Sequence, residues 1–162
     1  MKKPVALYAG SFDPVTNGHL DIMRRAVEIF GTLDVVVMQN GGKKPLFSPV
    51  QRVRMLQQVT KDIAGISVHS WDGLLADYAR KTGVKVLVRG VRNATDTEAE
   101  LTQAYYNRAF APTLQTVFLP TEATYRYISS SSVREAARYG ADVHGWVPQI
   151  VAKALAQKYK RR

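Results

Sequence analysis

The residues best suited to chemistry lie in the stretch from Tyr8 to His19, which reads YAGSFDPVTNGH. An apolar run precedes it and an amphipathic run follows it, which predicts a strand, a tight turn and the start of a helix. Ser11 offers a hydroxyl and a backbone N–H, and His19 would lie in the first helical turn, where an imidazole can donate to an anion. The stretch therefore predicts a phosphate site, although an ordinary strand-to-helix turn capped by a histidine has the same pattern.

A second candidate site is the pair Arg89 and Arg92, which follow an apolar run with Gly90 between them. Guanidinium groups bind phosphate through two parallel hydrogen bonds, and a glycine lets the backbone approach a ligand closely. Two arginines at one strand end therefore favour phosphate recognition. The alternative is that they form salt bridges with the acidic residues that follow, Asp96, Glu98 or Glu100.

Two further segments offer groups that bind anions. The serines Ser129, Ser130 and Ser131 precede a helical pattern, where their hydroxyls and the backbone amides suit a triphosphate. A serine run is also typical of a plain cap or a linker. Lys43 and Lys44 lie in a loop after the second apolar strand, where they either reach phosphates or only solubilise the loop.

The elements that must position these residues alternate between strand and helix five times along the chain. This alternation predicts an α/β fold, a Rossmann-like, doubly wound, five-stranded parallel sheet with flanking helices in a single domain over 1–162. The last helix is expected over about 149–162, with a basic tail. The arginine, serine and histidine segments all follow strands, so they would converge on one crevice at the same edge of the sheet. The motif GxGxxG is absent, which disfavours a nicotinamide dehydrogenase.

Some local expectations can be compared directly with the structure. The pattern predicts a long helix from Thr97 to Ala111 and another helix that opens at Asp72-Gly73. His69 is expected to be a structural or surface strand residue without a partner. The loop from Thr121 to Tyr127 receives no assigned contact.

The amino-acid composition limits the kinds of molecule that this protein is expected to bind. The chain has 162 residues, a formal net charge of +10 and no cysteine, so disulfides and thiolate chemistry are excluded. The aromatic residues do not alternate with the basic ones as a stacking platform for bases would require, so we expect small polyanions rather than nucleic acid as partners. No secretory signal or apolar run of membrane-spanning length is visible, so we expect a cytoplasmic protein without a membrane partner.

The combination of motifs resembles one enzyme family. Gly10-Ser11-Phe12-Asp13-Pro14, followed by Thr16-Asn17-Gly18-His19, resembles the signature of the nucleotidyltransferase superfamily. The wider superfamily more often has histidine where Thr16 stands, and the Thr-x-Gly-His form is similar to that of bacterial phosphopantetheine adenylyltransferases. It argues against cytidylyltransferases and class I aminoacyl-tRNA synthetases. The segments RGVRNATDTEAE and ISSSSVR also resemble that family, and the likeness runs from Val5 to Val151.

The resemblance implies a reaction and a role for each candidate residue. ATP would transfer its adenylyl group to 4′-phosphopantetheine, giving dephospho-coenzyme A and pyrophosphate, commonly in a homohexamer. Mg²⁺ would accompany ATP, held by phosphates and water rather than by protein ligands. The implied catalytic residues are Ser11, His19 and Lys43. The residues implied to bind phosphopantetheine are Ser11, Lys43, Arg89 and Leu75, although by sequence alone Leu75 is a core residue. The residues implied to bind ATP are Ser11, Phe12, His19, Gly90, Val91, Arg92, Glu100, Ser129, Ser130 and Ser131.

The residues themselves indicate how such a reaction would proceed. A phosphate monoester is already ionised at neutral pH, so it needs no general base, and catalysis reduces to positioning and charge stabilisation. The resemblance implies that the serine segment plays the role of the KMSKS loop of class I synthetases; the lysines of that loop are missing here, so Arg92 and Lys43 would supply the charge. Two other functions remain open. One is an adenylyltransferase with another acceptor, such as nicotinate mononucleotide. The other is a non-enzymatic nucleotide- or RNA-binding module, suggested by the net charge.

Overall fold

A computed structural model describes residues 5–39, 42 and 44–160. Five parallel strands form one sheet in the order β3-β2-β1-β4-β5. The strands are β1 (Val5–Gly10), β2 (Thr32–Met38), β3 (Ile66–Trp71), β4 (Val86–Val91) and β5 (Gln115–Pro120). The prediction of a Rossmann-like five-stranded parallel sheet is confirmed.

Helices cover both faces of this sheet. They are α1 (Asn17–Phe30), α2 (Pro49–Thr60), α3 (Leu75–Thr82), α4 (Ala94–Phe110), α5 (Ser130–Arg138) and α6 (Gln149–Lys160), with one 3₁₀ turn at Ala123–Tyr125. Within the ranges that the structure describes, none of these helices is long and apolar enough to cross a membrane.

The alternation of side chains along β1 divides the apolar core into two layers. Ala6 and Tyr8 belong to a cluster with α1, α2, α5 and α6, whereas Leu7 and Ala9 belong to a cluster with α3 and with Ala111 and Leu114, which follow α4. Right-handed crossovers explain this division, because the chain moves outward from β1 to β3 and then returns to the other side of β1 for β4. The strand order therefore reverses between β1 and β4, and the carboxyl ends of these strands border a crevice.

Local capping chemistry determines where the helices begin. The Thr16 side chain accepts from the His19 backbone N–H, so α1 begins at Asn17. The Asn93 side chain accepts from the Asp96 N–H at 2.9 Å, so α4 begins at Ala94, three residues before the predicted start. The predicted opening of α3 at Asp72-Gly73 is also wrong, since Leu74 occupies the N-cap position and the helix starts at Leu75.

Two polar side chains, one exposed and one buried, have environments that sequence analysis did not predict. His69 Nε2 lies 3.2 Å from Asp34 Oδ1, so the expectation that this histidine has no partner is wrong. Arg52 is only 3% exposed and lies on the inner face of α2 beside Leu56, which is also buried.

Candidate active site

The crevice between β1 and β4 holds a pocket of about 240 Å³. The candidate residues that line it are Ser11, Phe12, His19, Arg89, Gly90, Arg92, Glu100, Ser129 and Ser130. Tyr8, Thr16, Thr121 and Ile128 complete much of the wall. Segments far apart in the sequence thus converge at the carboxyl edge of the sheet, as the strand pattern predicts.

His19 projects from the first turn of α1 with a defined orientation. Its Nδ1 accepts a hydrogen bond from the Thr16 backbone N–H at 3.0 Å, and the Thr16 hydroxyl lies 3.2 Å from the same nitrogen. Because a backbone N–H can only donate, Nδ1 must be unprotonated in the neutral ring, and the proton is on Nε2. The neutral ring therefore has one N–H left to donate, at Nε2.

Burial and charge keep that ring neutral. Burial, together with the nearby positive charges of Arg92 and Arg89, lowers the pKa of His19 to about 4. The ring packs edge-on against Phe12, with 5.1 Å between the ring centroids, and the Tyr8 ring centroid lies 5.4 Å from that of Phe12 and 6.4 Å from that of His19. At neutral pH His19 is thus a hydrogen-bond donor without a charge.

Arg89 extends from β4 on the face covered by α4, where Glu100 meets it. Its Nε donates to Glu100 Oε2 at 2.6 Å, its Nη2 donates to Oε1, and its Nη1 donates to the Ala9 carbonyl. Burial lowers the pKa of Arg89, but the hydrogen bonds and charge of Glu100 outweigh burial and raise the pKa above its usual value. The salt bridge that sequence analysis left open as an alternative is therefore present, inside the pocket wall.

Arg92 has a looser arrangement just beyond β4. Its Nη2 lies 3.2 Å from Asp96 Oδ1, and its carbonyl accepts from Arg126 Nε at 3.0 Å. The second contact attaches the 121–127 loop, to which sequence analysis assigned no contact, to the rim of the pocket. In the same loop Tyr125 packs so close to α1 that a Cβ added at Gly18 would lie 3.2 Å from its Cβ. Glycine at this position lets the loop close one wall of the site.

The serine segment is a helix cap that faces the pocket. Ser129 is the N-cap of α5, and its side chain accepts from the Ser132 N–H at 3.0 Å. Ser130 Oγ donates to the Pro14 carbonyl at 2.8 Å, which joins α5 to the turn after β1. The helix cap that sequence analysis gave as an alternative is therefore present, and it places Ser129 and Ser130 in the wall of the pocket.

Three of the described candidate residues do not line this pocket. Leu75 is partly buried against the core cluster that contains α3, and Val91 pairs with Pro120 at the end of β4. Ser131 lines a neighbouring cavity of about 740 Å³, which also contains Lys44. Lys43 lies outside the residues that the structure describes.

The structure also reveals functional candidates that sequence reasoning missed. Thr16 holds His19, and its position before a helix was a capping signal. Tyr8 lines the pocket, and burial raises the pKa of its hydroxyl, which stays protonated. Arg134, one turn into α5, donates to the Asp13 carbonyl and lines the neighbouring cavity. Its place at the end of the serine motif was the available signal.

This set of groups is suited to binding anions. It combines a neutral imidazole donor, two arginines, serine hydroxyls and helix N-termini around one cavity. Such a site stabilises phosphoryl charge without requiring a nucleophile from the protein.

Comparison with known proteins identifies the family. A sequence model described as cytidylyltransferase-like matches residues 7–136. The chain belongs to this family. Within it, the chain is 46% identical to the phosphopantetheine adenylyltransferase of Alkaliphilus metalliredigens over 95% of this chain and 98% of the relative. It is 44% identical to that of Caldanaerobacter subterraneus over 97% of this chain and 98% of the relative. The resemblance drawn from the motifs is confirmed.

Two solved structures support the fold. A putative nicotinate-nucleotide adenylyltransferase from Vibrio parahaemolyticus superposes with a TM-score of 0.70 at 16% identity, covering 99% of this chain and 97% of that chain. The nicotinic acid mononucleotide adenylyltransferase of Plasmodium falciparum, complexed with NaAD, gives 0.68 at 12% identity, with 98% and 96% coverage. At such low sequence identity these structures support only the assignment of the fold.

Proposed function

We propose that this chain transfers the adenylyl group of ATP to 4′-phosphopantetheine, giving dephospho-coenzyme A and pyrophosphate. The observation that supports this proposal is the neutral His19 imidazole, which has Nε2–H as its donor and lies in a pocket that Arg89 and Arg92 also line. The relatives named phosphopantetheine adenylyltransferase, at 43–46% identity over nearly the whole chain, support the choice of acceptor.

In this reaction a phosphate oxygen of the acceptor attacks the α-phosphorus of ATP, and the bond to the β-phosphate oxygen breaks as pyrophosphate leaves. The attacking phosphate is already anionic, so no residue has to remove a proton. Negative charge spreads over the α-phosphoryl oxygens, and His19 Nε2–H donates to them. A neutral donor can strengthen this contact in the transition state without holding the product by a full charge.

The two walls of the pocket suggest a division of roles. Arg89 is fixed by Glu100 and the Ala9 carbonyl, so it would present a rigid cation to the acceptor phosphate, together with Ser11 and Lys43. ATP would lie along the remaining wall, near Arg92. The other residues proposed to contact ATP are Phe12, Gly90, Val91, Glu100, Ser129, Ser130 and Ser131.

Mg²⁺ fits this site as a partner of the triphosphate. The carboxylates of Asp96 and Glu100 line the pocket, but each is bound to an arginine. Among the described residues no group of three His, Cys, Asp or Glu side chains is placed to hold a metal ion. Phosphate oxygens and water would therefore hold Mg²⁺, which supplies charge neutralisation to the triphosphate.

A homohexamer and a cytoplasmic location complete the proposal. Helix α4 has no buried residue, and it exposes Leu101 (48%), Tyr105 (71%), Tyr106 (51%) and Phe110 (52%). An apolar face of this size favours contact with another copy of the chain.

Light scattering tests this assembly and should give a molecular mass of about six times 18.0 kDa. Leu101→Glu should lower that mass, whereas Val50→Glu, an exposed position on α2, should not. A monomeric wild type would refute the assembly.

The deciding experiment measures pyrophosphate release from Mg-ATP, with 4′-phosphopantetheine and nicotinate mononucleotide as parallel acceptors. Release with phosphopantetheine alone supports the proposal. Release only with the mononucleotide keeps the reaction type and overturns the acceptor. Folded protein that releases none with either acceptor, yet binds oligonucleotides with a steep salt dependence, would be a binding module.

A further inference from the structure

Tyr8 is a buried residue of β1 whose hydroxyl the protein does not use. Only 6% of its surface is exposed, and it lines the pocket that contains His19. Within the described residues its hydroxyl makes no hydrogen bond, and yet no fully buried side-chain oxygen or nitrogen there lacks a partner. The hydroxyl oxygen must therefore reach the open space of the pocket. A polar group in such a buried place costs free energy until a ligand or water completes its hydrogen bonding.

The larger donors of the pocket wall are already bound to the protein. These pairs are Arg89 with Glu100, Arg92 with Asp96, and the Ser130 hydroxyl with the Pro14 carbonyl. Within the described residues the hydrogen bonds of the His19 ring involve Nδ1 alone, so its Nε2–H is unpaired like the Tyr8 hydroxyl. These two ring donors can therefore bind a ligand without breaking any hydrogen bond of the protein.

Aromatic packing holds the two rings near each other. The Tyr8 and His19 rings both contact Phe12, and their own centroids lie 6.4 Å apart. Phe12 is only 2% exposed, so neither ring can turn away without disturbing the core. Both donors therefore open into one cavity of about 240 Å³, and both are oriented before a ligand binds.

The electrostatics of this cavity favour a phosphate oxygen as the acceptor. Burial raises the pKa of Tyr8 above its usual value, so the hydroxyl keeps its proton and can donate. Arg89 and Arg92 line the same cavity, and their positive charges act on both Tyr8 and His19. An anion attracted by the arginines thus meets neutral donors on the two rings, whose hydrogen bonds add to the attraction between charges.

We infer that the Tyr8 hydroxyl donates a hydrogen bond to an oxygen of the α-phosphate of ATP, next to the hydrogen bond from His19 Nε2. The inference rests on the proposed adenylyl transfer, in which His19 determines where the α-phosphate lies. Tyr8 forms and breaks no covalent bond, and its proton stays on the hydroxyl throughout. It is a second neutral donor, which stays hydrogen-bonded while the acceptor oxygen attaches to the phosphorus and pyrophosphate leaves.

A comparison of AMP with adenosine isolates this contact, because the two ligands differ only in the phosphate. Tyr8→Phe removes the hydroxyl and keeps the packed ring. Measured by calorimetry, it should weaken AMP binding by about 10-fold or more, the loss expected for a hydrogen bond to a charged acceptor, while adenosine binding stays within about twofold. The value of kcat/KM for Mg-ATP should fall by at least the same factor.

Stability distinguishes a ligand contact from a structural role. The Tyr8 hydroxyl has no partner to lose in the described part of the chain, so Tyr8→Phe should unfold at the urea concentration of the wild type or a higher one. Tyr78→Phe is the matched control, because the Tyr78 hydroxyl donates to Asp34, outside the pocket. It should unfold at a lower urea concentration and bind AMP and adenosine as the wild type does.

Other results would overturn the assignment. If Tyr8→Phe weakened AMP and adenosine binding equally, the hydroxyl would act on the nucleoside and not on the phosphate. Unchanged AMP binding with weaker binding of 4′-phosphopantetheine would give the hydroxyl to the acceptor phosphate. Unchanged binding of all three ligands would exclude a ligand contact. Since nucleotide binding needs no turnover, a wild type that releases no pyrophosphate, with an AMP-specific loss in Tyr8→Phe, would refute the proposed function and leave this inference standing.

Discussion

Thr16 and His19 cap each other at the start of α1. The backbone N–H of Thr16 donates to His19 Nδ1 at 3.0 Å, and the backbone N–H of His19 donates to Thr16 Oγ1 at 3.3 Å. The same pair of contacts that begins the helix therefore fixes the tautomer of the imidazole, with the proton of the neutral ring on Nε2. One arrangement thus caps the helix and leaves the ring a single N–H donor.

Replacing His19 tests its role in the transition state. His19→Ala should lower kcat by about 10²–10³-fold, the effect of losing one well-placed donor to developing charge, and should change KM for ATP by less than about threefold. Steady-state pyrophosphate release measures both constants. Thr16→Ser keeps a capping hydroxyl and should retain most of the activity. Lost ATP affinity with normal residual turnover in His19→Ala would contradict this role.

The low pKa of His19 makes stability depend on pH. In the unfolded chain the ring takes a proton near pH 6.5, whereas in the folded state it does so only near pH 4. Between these values the unfolded state binds more protons, so the free energy of unfolding falls as the pH is lowered. At pH 4 this effect lowers the free energy of unfolding by at most about 3 kcal/mol.

Urea unfolding at pH 7, 5.5 and 4.5 measures this dependence. The free energy of unfolding of the wild type should fall more steeply with decreasing pH than that of His19→Gln, which has no imidazole at that position. His69→Gln removes an exposed histidine, so it should keep the steep dependence of the wild type. Parallel curves for wild type and His19→Gln would contradict a buried, neutral His19.

The sequence predicted the sheet and most of the pocket because those features depend on short-range patterns. Apolar runs indicated the strands, and parallel strands bring their carboxyl ends to one edge, so Ser11, Arg89 and Ser130 had to converge. The sequence could not show that Arg89 pairs with Glu100 rather than with Asp96 or Glu98, because the choice depends on how α4 crosses β4. The same limit applies to Arg126, whose partner carbonyl at Arg92 lies in another segment.

The pairing of Arg89 with Glu100 allows the effect of Arg89 on stability to be measured separately from its effect on acceptor binding. Arg89→Gln leaves the mostly buried Glu100 carboxylate without its cation, so it should cost about 3 kcal/mol of unfolding free energy and raise KM for the acceptor about 10-fold. Adding Glu100→Gln should recover stability while the acceptor KM stays high. Arg80→Gln breaks an exposed pair with Asp77 and should cost less than about 1 kcal/mol. An acceptor KM that recovers in the double variant would mean that Arg89 acts only on the fold.

The last prediction tests whether Arg52 supports the turn that carries Ser11. Arg52→Met fills a similar volume but leaves three carbonyls, including that of Ser11, without their donor, so it should cost about 2–4 kcal/mol in urea unfolding. KM values for both substrates should rise together, because the turn that carries Ser11 loses its anchor. Arg54→Met, on the exposed face of the same helix, should stay within about 0.5 kcal/mol of the wild type. If Arg52→Met were as stable as Arg54→Met but lost affinity for one substrate only, Arg52 would be a binding residue that contacts that substrate directly, and its buried hydrogen bonds would not be what holds the turn.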